Sequence, residues 1–432
     1  MEARIKTNNK FFHWLIAFLS YWYYGRPSRK LIVIGVTGTK GKSTTSRLIA
    51  SVLEKGGFKV GLFSTVEFQI ADKRWFNDKK MTMLGRGQIQ KMLRDMVKAG
   101  CTHVVVETSS EGILQYRHYG LNYDLCVFTN IGSEHSERHG GYENLRNDKG
   151  KMFAALKSAY RKRLGGVSIP KTIVVNGDDK EAGFYLGFEA NVKLAYTFTG
   201  ATYTETESII AKKIDGDDHS FLIGSEKYSM GIIGDFNVYN GLAAAVVGKC
   251  FNVKYEAIQN ALQSITLIPG RMEFIEEGQP FKVVVDYAHE PMSLTALFNS
   301  LRKMTTGRII SVVGSDGGGR DKLKRGTMGN IAGKFTDIVV ITDVNCYDEN
   351  PAEIAEMLAR GARAAGKRDK VDLFVELDRH AAIRAALRTA LAGDTVAITA
   401  KGTEPFIAVA NGKKIPWDDR KVARELLNEL YA

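Results

Sequence analysis

Residues 31–44 read LIVIGVTGTKGKST: a short apolar, β-branched run, a glycine-rich turn, and the start of a helical stretch reaching about Lys55. Few local patterns constrain a fold as tightly. A buried strand that turns directly into a helix presents backbone N–H groups at the helix start, where phosphate oxygens are stabilised. Gly38 and Gly41 make the turns, Lys42 would neutralise phosphate charge, and the Ser43 hydroxyl would ligate Mg2+. Thr39, Lys40 and Thr44 complete this candidate cradle. The strict spacing of such loops asks for glycine at position 36, where Val36 stands, so the loop is a variant.

Further strands follow. HVVVET (103–108), LCVFTN (125–130) and TIVVNGD (172–178) are apolar runs ending in polar residues. Strands alternating with helical stretches predict an α/β domain with a mostly parallel sheet. Ligands of such sheets sit beyond the carboxyl ends of the strands. Glu107 stands at one such end, and a buried carboxylate there calls for a cationic partner. Short alternating runs in 193–233 predict a small antiparallel insert, after which a helix from about Asn237 to Phe251 returns to the first domain. Near Pro269-Gly270 the pattern restarts. KVVVDYA (282–288), IISVVGS (309–315), DIVVITD (337–343), DLFVEL (372–377) and TVAITA (395–400) predict a second, Rossmann-like α/β unit. The domains are therefore read as 1–30, 31–267 and 268–432, with a cleft expected between the two larger ones.

The 432 residues are 44% hydrophobic and 25% charged, which excludes a disordered chain. The net charge of +12 suits anionic ligands or surfaces, and no nucleic-acid-binding signature accompanies it. Cys101, Cys126, Cys250 and Cys346 form no pair or zinc spacing and fit a reducing cytoplasm. Residues 11–24, FFHWLIAFLSYWYY, are flanked by Lys6, Lys10, Arg26, Arg29 and Lys30. The run is too short to span a bilayer comfortably and lacks a cleavage site. It reads either as a helix lying in a membrane interface or as one packed on protein.

At the glycine-rich loop the sequence resembles a known family. TGTKGKST is similar to the TGTNGKTT loop of the Mur ligases, with Lys40 where Asn is usual. VVETSSEG (105–112), TNIGSEHSERHG (129–140), NDKGKMF (147–153) and GDFNVYNGLAAA (234–245) resemble further Mur ligase segments. PGRMEFI (269–275), VVDYAHEP (284–291), SDGGGRDKLKRGTMG (315–329) and GKKIPWDDRKVARELL (412–427) complete the order. The resemblance covers residues 31–432 and is nearest to the MurE type, the UDP-N-acetylmuramyl-tripeptide synthetases. It implies a central P-loop ATPase-like domain and ATP-dependent amide-bond formation through an acyl phosphate.

The resemblance also implies roles. Ser43 and Glu107 would hold one Mg2+, and His135, more than His139, a second. Lys149 corresponds to the carbamylated metal-binding lysine. Asn237 and Asn240 would contact adenine, Arg271 the phosphates and Asp286 the ribose region. Lys42, Glu107, His135, Lys149 and Arg271 form the implied catalytic set. Thr82, Ser109, Ser110 and Arg117 match residues that hold the nucleotide-peptide acceptor. Asn345 and Glu404 would meet the incoming amino acid.

The chain departs from the pattern in two places. Members of the MurE type begin with about one hundred residues that grip the UDP-sugar, whereas thirty precede the loop here. Either UDP recognition is lost or shared, or the acceptor is a lipid-linked muropeptide met at a membrane. Members that add diaminopimelate carry DNPR, and here Cys346 and Tyr347 stand in place of Pro and Arg. A neutral tyrosine offers no bidentate fork, so meso-diaminopimelate and lysine both stay open as the added amino acid. The expected function is addition of an amino acid to a peptidoglycan stem peptide. A polyglutamate-type substrate and a non-catalytic nucleotide-binding scaffold are the alternatives.

Overall fold

A computed structural model describes residues 10–79, 81–132, 139–319 and 322–431. The chain divides into two compact units, Met1–Thr266 and Leu267–Ala432.

In the first unit, α1 (Lys10–Tyr23) precedes β1 (Ile32–Thr37) and α2 (Lys42–Lys55). Strands β2 (Val60–Phe63), β3 (Glu67–Ile70) and β4 (Lys73–Phe76) follow, then α3 (Arg86–Lys98) and β5 (His103–Glu107). Next come α4 (Ser110–Leu114), β6 (Leu125–Phe128), α5 (Tyr142–Ser158) and the small hairpin β7 (Arg163–Leu164) and β8 (Val167–Ser168). The unit closes with β9 (Thr172–Asn176), α6 (Ala182–Leu186), β10 (Val192–Thr197), β11 (Glu207–Ile214), β12 (Asp217–Ile223), β13 (Glu226–Ser229), α7 (Asp235–Cys250) and α8 (Tyr255–Ser264). Eleven strands form one sheet in the order β13-β12-β11-β10-β9-β6-β1-β5-β2-β3-β4.

The central strands β2, β5, β1, β6, β9, β10 and β11 are parallel, and antiparallel hairpins extend both edges. The expected insert at 193–233 is thus corrected. β10 and β11 continue the parallel sheet, and only β12 and β13 run antiparallel. Side chains alternate across a strand, so each buried strand faces two layers. Val33, Val104, Val106, Cys126 and Phe128 pack with α3, α5 and α6 on one face. On the other, α2 packs with α7 and α8.

The amino ends of β1, β6 and β9 meet at one buried carboxylate. Asp124 accepts the Val33 N–H (2.8 Å), the Lys171 ammonium (2.8 Å) and the Lys162 ammonium. Both lysines also donate to backbone carbonyls, Lys162 to Leu31 and Asn122, Lys171 to Tyr123 and Tyr160.

At the start of β5, the His103 ring lies between Phe58 (4.3 Å) and Phe251 (5.0 Å), and its Nε2 is buried without a partner among the described residues. Burial pulls its pKa down to about 4. The folded chain therefore keeps His103 neutral while the unfolded chain protonates it near 6.5. The stability this site contributes is complete above pH 6.5 and is lost as pH falls toward 4. Denaturant titrations from pH 7 to pH 4 are expected to show His103→Leu losing about 3 kcal/mol less than the parent chain.

In the second unit, β14 (Glu273–Ile275), β15 (Lys282–Val285), β16 (Ile309–Val313), β17 (Ile338–Ile341), β18 (Leu373–Val375) and β19 (Thr395–Ile398) form a sheet of order β14-β15-β19-β16-β17-β18. The five strands read from the sequence are parallel, and β14 adds an antiparallel edge. One face packs on Pro291–Met304, Leu323–Phe335 and Pro351–Ala364, the other on Arg379–Thr389 and Asp419–Tyr431.

Candidate active site

The glycine-rich loop joins β1 to α2 at the carboxyl edge of the first sheet. Val36 lies inside β1, fully buried and in register with Glu107, so the turn proper begins only at Gly38. The residues after β6 clamp the loop. Thr39 N–H donates to the Asn130 carbonyl (2.8 Å), Lys40 N–H to Asn130 Oδ1 (2.8 Å), and Thr129 Oγ1 to the Lys40 carbonyl (2.7 Å). A Cβ on Gly38 would fall 2.0 Å from Thr129 Oγ1, and one on Gly41 (φ 77°) 2.3 Å from Asn240 Oδ1. Backbone and side chains therefore meet too closely here for any other residue. Gly41→Ala is expected to lower nucleotide affinity at least about tenfold, measured by calorimetry, and also to lower the melting temperature, since the added Cβ strains a left-handed backbone and presses on Asn240.

Two ammonium groups converge on the start of this loop. Lys42 Nζ donates to the carbonyls of Gly38 (3.1 Å) and Thr39 (3.0 Å), and buried Lys149, reaching over from α5, donates to Gly38 (2.8 Å). Ser43 and Thr44 are buried in the first turn of α2. Asn237 and Asn240 lie on α7. Asn240 Oδ1 accepts from Thr45 Oγ1 (3.0 Å) and its Nδ2 donates to Asn237 (3.1 Å), tying α7 to the loop helix.

Glu107 is 2% exposed at the end of β5. Among the described residues its hydrogen bonds come from one neighbour, Thr65, by backbone N–H (2.7 Å) and hydroxyl (2.9 Å). The Thr65 hydroxyl has one proton and gives it to Glu107, so it accepts from Thr82 Oγ1 at 3.0 Å. A buried carboxylate held by hydroxyl and amide, with no side-chain cation on it among the described residues, is chemically incomplete by itself. It fits a divalent cation, and Ser43 on the neighbouring strand's helix adds a hard oxygen donor. Among the described residues no three acidic, histidine or cysteine side chains cluster as a metal site. His135, expected as a ligand, lies outside the described residues.

On the acceptor side, Ser109 caps α4 by accepting the Gly112 N–H (3.2 Å). Ser110 Oγ lies 3.1 Å from His139 Nε2, and His139 Nδ1 lies 2.6 Å from Asp148 Oδ2. Both ring nitrogens of His139 are thereby engaged. Burial alone would raise the Asp148 carboxyl, but hydrogen bonds from His139 and Lys151 outweigh it and hold the group below its ordinary value. Arg117 donates to the Met83 carbonyl, next to Thr82, and burial lowers its pKa. The structure thus joins Thr82 to Glu107 through Thr65, and Ser110 to α5 through His139. Thr65 and Asp148 were missed in the sequence. Asp148 stands beside Lys149 in NDKGKMF, a signal that was available, whereas Thr65 follows a four-residue strand that carries none.

In the second unit the Arg271 guanidinium stacks 4.4 Å over Tyr287 and donates to the Gly270 carbonyl (3.2 Å). Asp286 accepts the N–H groups of Met272 and Ala288, each at 2.6 Å. Further along the same sheet edge, Asn345 Nδ2 donates to Asp316 (2.7 Å) and Glu404 Oε2 (3.0 Å). Fully buried Lys401 donates to the same Glu404 oxygen (3.0 Å) and to Asn345 Oδ1 (3.2 Å). Tyr347, two residues on, has a left-handed backbone (φ 51°). Lys401 and Asp316, which the sequence reading did not single out, thus hold Asn345 and Glu404, which it did.

Comparison with known proteins agrees with this arrangement. Residues 36–248 match the model of the Mur ligase middle domain, and residues 270–402 that of the Mur ligase, glutamate ligase domain. The chain is 37% identical over 423 residues to a UDP-N-acetylmuramyl-tripeptide synthetase of Roseiflexus sp. (strain RS-1), spanning 96% of this chain and 82% of that one. It is 34% identical over 421 residues to the UDP-N-acetylmuramoyl-L-alanyl-D-glutamate--2,6-diaminopimelate ligase of Geobacillus kaustophilus (strain HTA426), with the same two shares. A solved structure of a ligase of that name superposes with a TM-score of 0.59 and 28% identity, covering 93% of this chain and 79% of that one. With the strand–loop–helix, the buried carboxylate beside it and both domain models in order, the chain belongs to the Mur ligase family.

Proposed function

We propose that this protein is an ATP-dependent ligase of the MurE type, joining an amino acid to the stem-peptide carboxylate of an acceptor such as UDP-MurNAc-L-Ala-D-Glu. The observation that carries this reading is Glu107, buried without a side-chain cation among the described residues, at a strand end next to a loop on which Lys42 and Lys149 converge. That is a site short of positive charge at the carboxylate and rich in it at the loop, which suits a metal–nucleotide complex. Bound ATP and Mg2+ would supply the activation, converting the acceptor carboxylate into an acyl phosphate open to attack by an amine.

The chain's own residues divide the remaining work. The amides of Gly38–Thr44 and the Lys42 ammonium hold the phosphates. Ser43 and Glu107 would offer oxygens to the cation, with His135 and, once carbamylated and so converted from ammonium to anion, Lys149 as further ligands. Thr65 keeps the Glu107 carboxylate in place and links it to Thr82. Asp148 fixes the His139 ring so that Nε2 faces Ser110, which with Ser109, Thr82 and Arg117 would position the acceptor. Asn237 and Asn240 would border adenine. Arg271 and Asp286 would meet the phosphates and ribose, and Asn345 and Glu404 the incoming amino acid. Thr65→Val is expected to lower kcat about tenfold or more and to raise KM for the acceptor by a smaller factor, since the lost hydroxyl holds the Glu107 carboxylate and also touches Thr82.

The test is phosphate release from ATP with Mg2+ and UDP-MurNAc-L-Ala-D-Glu, adding lysine, meso-diaminopimelate and other amino acids singly. Release stimulated by one amino acid, with a product heavier by that residue minus water, supports the reading and names the donor. No amino-acid-dependent release with any nucleotide-linked or lipid-linked acceptor would leave a nucleotide-binding scaffold in its place. A lipid-linked acceptor is the second reading, favoured by the exposed aromatic face of α1.

A further inference from the structure

Helix α1 has two faces of opposite character. Ala17 and Tyr21 are buried against the first unit, where Trp14, Phe18 and Tyr21 each pack against the Tyr119 ring and α1 lies on α3. The opposite face carries Phe12, Leu15, Leu19, Trp22 and Tyr23, which recur at three- and four-residue intervals and so form one stripe. Phe12 (53% exposed), Leu19 (56%), Trp22 (50%) and Tyr23 (78%) are open to solvent on it, and Phe11 (68%) is open at its edge. The helix is locked in place by its buried face, so the stripe is presented rigidly. Its 14 residues span about 21 Å and cannot cross a bilayer.

The surroundings of the stripe are basic. α1 contains no acidic residue. Arg26 stacks 4.5 Å over Trp22, Arg29 lies 4.2 Å over Tyr160, and Lys30, Arg161 and Arg163, neighbours of these residues in the chain, are exposed. Helix α3, on which α1 rests, exposes Lys91, Arg94 and Lys98, and its one acid, Asp95, is paired with Lys91 (2.9 Å). An apolar aromatic stripe bordered by arginine and lysine matches a bilayer interface with anionic headgroups, where tryptophan and tyrosine settle at headgroup depth and basic residues meet the surface charge. We propose that α1 and its basic border dock this enzyme in-plane on anionic membrane surfaces. This inference does not depend on which acceptor the enzyme uses.

The experiment is co-sedimentation of the full chain with phosphatidylcholine vesicles, with and without about 30% phosphatidylglycerol. Binding is expected to anionic vesicles, to weaken with salt, and to be at least tenfold weaker on neutral ones. Leu19→Glu combined with Trp22→Glu changes only exposed positions and should abolish binding, with the melting curve unchanged. Arg26→Glu combined with Lys30→Glu should reduce it at least tenfold. Equal binding by parent and the Leu19→Glu, Trp22→Glu variant would overturn the proposal, as would no binding by the parent. A concentration-dependent dimer in sedimentation velocity, dissolved by the same variant and indifferent to vesicles, would assign the stripe to a second copy of the chain instead.

Discussion

Lys42→Ala should lower amino-acid-dependent phosphate release by about 10³-fold. The ammonium is anchored at the mouth of the loop by the carbonyls of Gly38 and Thr39, which keeps it within the phosphate cradle before any ligand arrives. Charge that develops on a phosphoryl group in transit is stabilised by fixed cations that need no reorganisation, and one such group is worth roughly 3–4 kcal/mol. The half-buried position of Lys42 at the N-terminus of α2 means that truncation removes charge without opening a core cavity. A melting temperature within a degree or two of the parent would separate loss of chemistry from loss of fold. Lys42→Ala retaining more than about a tenth of parent activity would remove this lysine from the reaction and with it the loop's proposed role.

The second large effect concerns the fold. Asp124→Ala should destabilise the first unit by about 4 kcal/mol, because it leaves two buried ammonium groups without their carboxylate. Lys162 and Lys171 are 0% and 5% exposed, so neither can reach water while the strands keep their positions. Burial already pulls the Lys162 ammonium down, to about 8, with Asp124 opposing that shift. Removing Asp124 removes the opposing influence. The same substitution frees the Val33 N–H at the head of β1, the strand that carries the phosphate loop. Urea unfolding with intrinsic fluorescence reads the loss directly. Combining Asp124→Ala with Lys162→Met and Lys171→Met should recover part of it, since the apolar replacements no longer bury charge. No recovery in the triple variant would mean that the backbone contact at Val33, not the ammonium groups, accounts for the loss.

The strands that build the site were legible where they are buried on both faces. β1, β5, β6, β9 and the parallel strands of the second unit are short apolar β-branched runs, because each must satisfy two helix layers. The edge elements were not legible as such. β3 and β4 alternate weakly, and β4 is exposed throughout, with Trp75 and Phe76 turned to solvent. The same holds for β10 and β11, whose exposed ends read as antiparallel hairpin although β10 pairs in parallel with β9, and β11 in parallel with β10. Pairing direction is set by which neighbour supplies the hydrogen bonds, and local side-chain pattern carries little of that information.

For the candidate site, Lys42, Ser43 and Glu107 could be named from a loop or strand-end pattern in the sequence, and Lys149 from the family resemblance. What only the tertiary structure decided is who holds them. Thr65 reaches Glu107 across 42 residues, Lys149 reaches Gly38 across 111, and Asn240 reaches Thr45 across 195. The chemistry-bearing groups are encoded locally because a strand end or a helix start orients them by itself. Their partners are non-local, because a buried polar group must find its hydrogen bonds wherever the packed layers bring a complementary atom within 3 Å or so. The N-terminal aromatic run shows the same division. Its composition announced an apolar helix, but only packing against α3 and Tyr119 decided which face is covered and which is left outward.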